Sequence, residues 1–395
     1  MKPSRIEELR DHYRRTLLED VIPFWMKHAP DTDFGGYLNC LDRDGSVYNT
    51  DKAMWIQCRT VWTFSKLCSE IERREEWIRT ARLGYDFIRK HGFDSDGRMH
   101  FVVTRDGRPL RKSRYLYTET FGVICCAAYS KATASEEALV QAKQTYRLLV
   151  DLYRSPGRLT PKINPETRST ISHAMPMILV ATTQELRRVD SDPLYREVVD
   201  QSIDQILNLF LKRDQRALFE TVAPNGDRID SPEGRCLNPG HAIETSWFLM
   251  HEAKERNDTS LLKNALDILV WSLEWGWDKD YGGLLYFVDV EGKPTEQLEW
   301  DMKLWWPHTE ALYALLLAHQ LTGDPVFEKW YDRIHDWSFA HFPDKEYGEW
   351  FGYLHRDGSV ALRLKGSMWK GPFHLPRALL YCYKLLEEMK GSKSG

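Results

Sequence analysis

The sequence predicts an all-α protein of the (α/α)6 barrel class, with short β-hairpins gathered at one end of the barrel. Three observations carry this prediction. A glycine-containing hairpin pattern recurs six times at near-constant spacing. Each copy is followed by a helix that is apolar on nearly all sides, and each is preceded by a helix that is apolar on one face only. Six buried helices that alternate with six half-exposed ones form an inner ring within an outer ring.

The repeat is defined by two glycines ten residues apart in four strong copies. In these copies an Asp-Gly or Glu-Gly pair closes an apolar and aromatic strand, which is a hairpin signal. Weaker copies near Gly157 and Gly226 fill the middle, so that the units start near residues 35, 97, 157, 216, 282 and 348. This spacing predicts one repeating domain over residues 1–390, followed by a flexible tail at 391–395. The strong glycine pairs are Gly35 and Gly45, Gly97 and Gly107, Gly282 and Gly292, and Gly348 and Gly358.

The two helix types differ in where their apolar residues fall. Before the fifth hairpin, Leu262, Leu266 and Leu269 share one face of a predicted helix. After the hairpins, segments such as 311–318 and 378–383 are apolar all round. An amphipathic helix packs one face against a core, whereas a helix that is apolar on all sides is buried on all sides. The first type therefore belongs to the outer ring and the second to the inner ring.

Composition excludes several classes of function. The 395 residues carry a net charge of −4 with mixed signs, which argues against a nucleic-acid-binding surface. No apolar run approaches the roughly 18 residues of a membrane span, and the first residues lack the apolar core of a signal peptide. Seven cysteines, an odd number without metal-type spacing, indicate reduced thiols, and we expect a cytoplasmic protein.

Because every hairpin precedes an inner helix, the N-termini of these helices meet the hairpins at one end of the barrel, where we expect the active site. They bring together a cation, carboxylates, imidazoles and aromatic rings, and helix N-termini favour developing anions. Simpler interpretations stay open, because a buried Arg can pair with a carboxylate, a His can cap a helix and a Trp can belong to the core. The sequence has no metal-ligand spacing and no glycine-rich phosphate loop. The candidate residues are Arg59, Tyr117, Glu119, His173, His241, Glu244, Trp247, Trp306, Glu310, Trp369 and His374.

Five segments across almost the whole chain resemble the N-acylglucosamine 2-epimerase family. The resemblance implies an (α/α)6 barrel, a homodimer, and interconversion of N-acetylglucosamine and N-acetylmannosamine. It implies no cofactor for the chemistry itself, with ATP as an activator that is not hydrolysed. The segments are Phe101–Pro109, Asn238–Glu244, Gln297–Ala311, Glu346–Tyr353 and Lys370–Arg377.

The resemblance also suggests roles, which agree with positions on the eighth and twelfth helices. His241 and His374 are the expected acid–base pair, because inversion at C2 needs proton transfer on opposite faces of one carbon. Arg59 is expected to stabilise the enediolate and hold O1, and Glu244 to assist His241. Glu310 is the candidate for hydroxyl contacts or ring opening. The aromatic walls are Trp247, Trp306 and Trp369, and further substrate contacts are expected from Tyr117, Glu119 and His173.

Other functions remain open from the sequence. His173 occupies a position where cellobiose 2-epimerases and mannose-type aldose–ketose isomerases of the same superfamily carry a histidine, so either activity is the nearest alternative. A glycoside hydrolase would need paired carboxylates across the scissile bond and would leave two histidines unexplained. A protein-binding module would tolerate replacement of Arg59 and of the histidines.

Overall fold

In the computed structural model, which describes residues 1–112, 114–160, 164 and 166–391, twelve long helices alternate between an outer and an inner ring. Odd-numbered helices are outer and even-numbered helices are inner. Two outer helices continue through a π-helical turn, α1 through Thr16–Val21 and α7 through Ile206–Phe210, and the first of these turns leads into a further α-helical segment, Ile22–His28. The helices are α1 Pro3–Arg15, α2 Met54–Glu70, α3 Glu75–His91, α4 Tyr117–Thr133, α5 Glu136–Arg154, α6 Ala174–Arg187, α7 Pro193–Gln205, α8 Pro239–Arg256, α9 Thr259–Gly276, α10 Trp305–Thr322, α11 Pro325–His341 and α12 His374–Gly391.

Burial separates the two rings as the sequence pattern predicts. Every residue of α10 from Trp305 to His319 is buried, whereas the outer helix α3 buries one stripe and exposes the rest. Four of the six outer helices, α5, α7, α9 and α11, begin at a polar cap, such as Asp258, whose carboxylate accepts from the backbone of α9. The prediction of six inner helices inside six outer ones is therefore confirmed.

Short hairpins connect the helices at one end of the barrel and link neighbouring repeat units. The strand before an inner helix pairs with the hairpin of a later unit, as β3 does with β4. All eight glycines of the four strong copies have positive φ, between 70° and 91°, which explains why the turns require glycine. The strands are β1 Cys40–Leu41, β2 Val47–Asn49, β3 Lys52–Ala53, β4 Val102–Val103, β5 Pro109–Arg111, β6 Ile171–Ser172, β7 Leu211–Lys212, β8 Ala217–Leu218, β9 Thr221–Val222, β10 Cys236–Leu237, β11 Val288–Asp289, β12 Lys303–Leu304, β13 Tyr353–Leu354 and β14 Val360–Leu362.

The third repeat unit departs from the hairpin pattern. Its first turn, Pro156–Arg158, is a short 3₁₀-helix rather than a strand. This segment lacks the Asp-Gly closure of the strong copies, so the local signal for a hairpin is missing. Further along, β6 pairs with β9 of the fourth unit and restores the link between units.

Buried ion clusters join adjacent units at the hairpin end. Asp31 of the first unit accepts from Lys52 at 2.9 Å and from both Arg105 Nε and Nη2, each also at 2.9 Å. Because Arg105 comes from the second unit, the cluster ties the two together. The same arrangement recurs as Asp278 with Lys303 and Arg356, and as Asp344 with Lys365 and Arg43. The last cluster joins the sixth unit to the first and closes the ring.

The C-terminal end differs slightly from the prediction. Helix α12 extends through Gly391, one residue into the segment expected to be a flexible tail. The remainder of that tail, 392–395, lies outside the described residues. Among the helices of the described chain, none combines the length and the apolar character that a membrane crossing requires.

Candidate active site

A cavity of about 1200 Å³ opens among the hairpins and contains most of the predicted site. Its wall includes the N-terminal turns of the inner helices and residues from the hairpins and connecting loops, and it extends to the C-terminal parts of α6 and α8. Eight of the eleven candidate residues line it: Arg59, Tyr117, His241, Glu244, Trp247, Trp306, Trp369 and His374.

The start of α8 places His241 at the cavity. Asn238 caps the helix by accepting from the backbone N–H of His241 at 3.1 Å, and Pro239 occupies the first turn, where its missing N–H costs nothing. Gly240 lets the ring of Trp306 approach closely, since a Cβ there would lie 2.5 Å from the indole. Trp306 consequently packs beside His241, with the two ring centroids 5.3 Å apart.

His241 is held by a carboxylate that the sequence did not indicate. Its Nδ1 lies 3.0 Å from Glu220 Oε2, which leaves Nε2 for the cavity. Glu220 Oε1 also lies 3.5 Å from Nδ1 of His173, and Nε2 of His173 lies 3.0 Å from Thr245 Oγ1. Burial alone would lower the pKa of His241, but the charge and hydrogen bond of Glu220 raise it above its ordinary value.

His374 is supported in the same way by a carboxylate from the neighbouring inner helix. Its Nδ1 donates to Glu310 Oε1 at 2.8 Å. Glu310 also accepts from Trp247 Nε1 at 3.0 Å and from Arg377 Nη2 at 2.7 Å. Burial lowers the pKa of His374 well below its ordinary value, and the cations of Arg377 and Arg59 act in the same direction against the charge of Glu244. His374 is therefore neutral at physiological pH.

The two histidines form one site because Trp306 lies between them. The indole centroid is 5.3 Å from the ring of His241 and 5.6 Å from that of His374. Both Nδ1 atoms are occupied by carboxylates, so both Nε2 atoms are available to a substrate that lies in front of Trp306. The arrangement presents two imidazoles of unequal basicity to one bound molecule.

Arg59 is a cation that has no ion pair within the described chain. The structure places its guanidinium over the rings of Trp55, Phe121 and Phe373, at 4.9, 4.0 and 5.0 Å, and Nε has no hydrogen-bond partner among the described atoms. Burial lowers the pKa of Arg59 to about 9, so it remains charged at neutral pH. A buried cation with no ion pair among the described residues is costly, so Arg59 is a candidate to bind an anionic group.

Three predicted substrate contacts lie behind the cavity wall rather than on it. Glu119 accepts from Arg98 Nε and from the backbone of Met99, so it holds a hairpin against α4. His173 is fully buried and faces Glu220. Glu310 is buried against His374 and Arg377. The structure thus places these three side chains outside the cavity lining, and their expected direct contact with substrate stays a prediction.

The expected assistance of Glu244 to His241 stays a prediction: its charge helps to raise the pKa of His241, and it also has partners across the barrel. Although the two residues are three apart on α8, Glu244 Oε1 accepts from Arg377 Nη2 at 2.7 Å and lies 3.9 Å from His374 Nδ1. Glu244 thus contacts the His374 half of the site, while its charge also acts on His241.

A metal ion is a possible occupant on spacing alone, because potential ligand atoms of Glu244, Glu310 and His374 all lie within 4.8 Å of one another. The charges already present in this cluster argue against a metal ion. Arg377 Nη2 bridges both carboxylates at 2.7 Å, so a cationic side chain already supplies the charge that a metal would bring. The cluster fits an internal ion network better than a metal centre.

Two functional residues were missed from the sequence. Arg377 falls within the segment Lys370–Arg377 that carries the family resemblance, but nothing in its spacing indicates a contact with Glu244 or Glu310. Glu220 lies between β8 and β9 of a degenerate repeat, where no motif marks it. The only sequence feature that could have identified Glu220 is its position as a carboxylate on the hairpin before α8, the helix that carries His241.

The fold and the site define an (α/α)6-barrel enzyme with a pair of carboxylate-supported histidines suited to proton transfer. The chain belongs to the N-acylglucosamine 2-epimerase (GlcNAc 2-epimerase) family, whose sequence profile matches residues 36–375. It is 36% identical over 380 residues to N-acylglucosamine 2-epimerase of Bos taurus, covering 94% of this chain and 90% of the bovine one. These matches confirm the resemblance predicted from the five sequence segments.

Cellobiose 2-epimerases are more distant relatives. That of Dictyoglomus turgidum is 23% identical over 398 residues, covering 96% of this chain and 99% of the relative. The solved structure of cellobiose 2-epimerase from Bacillus thermoamylovorans B4167 superposes with a TM-score of 0.83 at 24% identity, covering 96% of this chain and 99% of that one. This likeness supports the (α/α)6 fold.

Proposed function

We propose that this protein is a sugar isomerase that inverts C2 of N-acylglucosamines and interconverts N-acetyl-D-glucosamine and N-acetyl-D-mannosamine. One observation carries the proposal: two histidines, each held at Nδ1 by a carboxylate, flank Trp306, and Arg59, which forms no ion pair among the described residues, lines the same cavity. The 36% identity to the bovine enzyme named for this activity supports the choice of substrate.

The chemistry needs proton transfer and no net oxidation. After the sugar ring opens, the C1 aldehyde acidifies the proton on C2. One histidine removes this proton, and an enediolate-like anion forms with its charge on O1. The other histidine returns a proton to the opposite face of C2, which gives the epimer.

The electrostatics of the site match this sequence of steps. His374, whose pKa is lowered, is neutral and able to accept a proton, whereas the raised pKa of His241 favours its protonated form. The pair therefore rests as one base and one acid, which is the state that epimerisation requires at its start. Turnover reverses the two states, and the reverse reaction begins from the reversed pair. Arg59 provides the positive charge for the developing oxyanion at O1.

Incubation in D₂O tests the proposal directly. Purified protein with N-acetylglucosamine is expected to yield N-acetylmannosamine that carries deuterium at C2, as seen by NMR and mass spectrometry. Cellobiose and mannose serve as parallel substrates. A protein that converts mannose to fructose, or cellobiose to its epimer, while leaving N-acetylglucosamine unchanged would contradict the proposal in favour of the alternative activities.

The proposal extends to assembly, compartment and activation. We propose a cytoplasmic homodimer with ATP as a non-hydrolysed activator and no cofactor in the reaction itself. Seven cysteines that are all free and buried suit a reducing compartment. Light scattering measures the oligomeric state. Comparison of rates with ATP, with a non-hydrolysable ATP analogue and with neither nucleotide measures the activation; equal rates in all three would refute it.

A further inference from the structure

The loop that leads into α12 carries one residue of the candidate site and places a second. It spans residues 363–373, between β14 and α12, and we call it the last loop. Trp369 lies on this loop and lines the cavity, and His374 is the first residue of the helix that follows. The position of His374 relative to a bound sugar therefore depends on how the last loop is fixed to the barrel.

Lys370 fixes the last loop through a buried ion pair with the sixth repeat unit. Its Nζ donates to Glu349 Oε1 at 2.9 Å and to the backbone oxygen of Lys365, also at 2.9 Å. Both charged side chains are almost completely buried, with only 1% and 2% of their surface exposed. A buried charge that loses its partner is strongly destabilising, so the pair holds the loop to the sixth unit at one fixed distance.

Glu349 is itself held in place from several directions. Its Oε2 accepts from Trp25 Nε1 at 2.6 Å, and its backbone N–H donates to Asp20 Oδ1 at 3.0 Å. Its φ is +58°, in the left-handed region that residues with a side chain rarely adopt. Such backbone strain persists only where surrounding contacts overdetermine it, and it concentrates at functional sites. The sixth unit therefore presents a rigid carboxylate to Lys370.

The ammonium group of Lys370 also lies near the wall of the cavity. Its Nζ is 5.7 Å from the ring centroids of both Trp25 and Trp305. Trp305 lines the cavity, and its ring centroid is 6.2 Å from that of His374. Gly352 permits this approach, since a Cβ there would lie 2.5 Å from Cδ of Lys370. Lys370 thus packs behind the wall, where it supports the site without facing the substrate.

We propose that Lys370 is a positioning residue for epimerisation: its ion pair with Glu349 sets the last loop so that His374 faces C2 of the sugar. This inference rests on the proposed function. His374 follows Lys370 by four residues, and its ring is anchored separately by the hydrogen bond from Nδ1 to Glu310 at 2.8 Å. The carboxylate of Glu310 fixes the orientation of the imidazole, and the loop fixes the place of its backbone.

Other hydrogen bonds of the last loop lead to a different part of the barrel. Trp55 Nε1 donates to the backbone oxygen of Met368 at 2.7 Å, and Thr63 Oγ1 donates to that of Pro372. Both donors belong to α2. Without Lys370 the loop keeps these contacts with α2 but loses its ion pair with the sixth unit. We therefore expect the chain to stay folded while His374 moves relative to the bound sugar.

The expected effect is selective for the proton transfer that His374 performs. A misplacement of about 1 Å near a reacting group can cost roughly 100-fold in rate. We expect Lys370→Met to lower kcat for epimerisation about 30- to 100-fold and to change KM less than about threefold, because the contacts that bind the sugar remain. His241 lies on α8 and is not part of the last loop, so its own proton transfer should keep most of its rate.

Deuterium uptake at C2 separates the two proton transfers. In D₂O, initial uptake is measured by NMR for N-acetylglucosamine and for N-acetylmannosamine with wild type and each variant. Lys370→Met should slow uptake into one epimer about 30-fold or more, and into the other less than about threefold. The slowed epimer should be the one whose uptake is lost in His374→Asn. Lys370→Arg, which keeps the charge, should recover part of the rate.

Lys52→Met is the matched control. Lys52 is also completely buried, and its Nζ donates to Asp31 at 2.9 Å in the first repeat unit, so its loss also leaves a buried carboxylate without its lysine. Lys52 precedes α2, and any effect that reaches Arg59 through this helix acts on the enediolate that both epimers share. This variant should therefore lower thermal stability without making uptake differ between the epimers.

The outcomes separate the positioning role from the proposed function. Absence of uptake with wild type refutes both. With an active wild type, an equal loss for both epimers in Lys370→Met, or unchanged kinetics, overturns the role of Lys370 alone. If thermal melting shows that Lys370→Met does not fold, Glu349→Gln removes the charge at the other end of the same ion pair and is judged by the same criteria.

Discussion

Glu220 Oε2 lies 3.0 Å from His241 Nδ1, and Glu220 reaches that atom from the hairpin that precedes α8. The second histidine is supported differently, by Glu310 from an adjacent inner helix, in a network that Arg377 neutralises. Burial and the guanidinium of Arg377 lower the pKa of His374, whereas the charge of Glu220 outweighs burial and raises the pKa of His241. The fold thereby shifts the pKa values of two chemically identical side chains in opposite directions.

Replacement of Glu220 by Gln should expose this effect. Without the charge, burial dominates and the pKa of His241 falls, so its protonated form becomes scarce at neutral pH. We expect kcat to fall roughly 100-fold and the high-pH limb of the kcat profile to move to lower pH. Glu220→Asp should recover part of the rate. Glu274→Gln, an exposed change on α9, is the control; a Glu220→Gln profile that coincides with wild type would show that Glu220 has only a structural role.

Single replacements of the histidines should separate the two proton transfers. His241→Asn and His374→Asn are each expected to reduce epimerisation about 10²- to 10⁴-fold with an unchanged fold. The remaining histidine can still reach one face of C2. Each variant should therefore exchange the C2 proton of one epimer with solvent deuterium without forming the other. His355→Asn in an exposed hairpin is the control, and exchange of both epimers by a single-histidine variant would disprove the two-base assignment.

The barrel and the location of its site could be predicted from the sequence because both follow from periodic burial. Segments that are apolar all round must be inner helices, and the hairpin glycines then place the N-termini of those helices at one end. His241, His374 and Arg59 line the cavity for this reason. The apolar pattern of each segment agrees with its place in the inner or outer ring along nearly the whole chain.

The partners of these residues could not be predicted, because they depend on contacts across the barrel. Glu310 and His374 are 64 residues apart, and Glu244 and Arg377 are 133 apart. Spacing on one helix suggested that Glu244 assists His241, and it could not show that this carboxylate also accepts a hydrogen bond from Arg377. The spacing of residues along a helix predicts which side chains share a face. It does not predict which of several charged groups will form an ion pair with a given side chain.

Arg59 should show a conflict between function and stability. Replacement by Met keeps the aliphatic volume among Trp55, Phe121 and Phe373 and removes a buried charge that lacks an ion pair in the described structure. We expect kcat to fall about 10²- to 10³-fold, because the enediolate loses its cation. The melting temperature should stay level or rise. Arg89→Met on the exposed face of α3 is the control. A large loss of stability would assign Arg59 a structural role instead.

The ion cluster at Asp31 should govern the acid stability of the barrel. Burial acts to raise the pKa of Asp31, but hydrogen bonds from Arg105 and Lys52 outweigh it and hold the pKa at about 2. An unfolded Asp titrates near about 3.9, so the folded state binds its proton less readily than the unfolded state does. The stabilisation is therefore present above about pH 4 and is lost as pH falls through about 2. Wild type should accordingly lose stability over that range.

Asp31→Asn tests this cluster at neutral pH. It leaves Lys52, which is fully buried, without its carboxylate, and we expect a loss of about 3–5 kcal/mol in the free energy of unfolding. Asp33→Asn is a closely matched control, because Asp33 pairs with the same Arg105 at 2.9 Å but is 70% exposed. Its loss should stay below about 1 kcal/mol. Urea unfolding measures both variants. Equal losses would mean that the link between the first two units depends on Arg105 and not on the buried charge of Asp31.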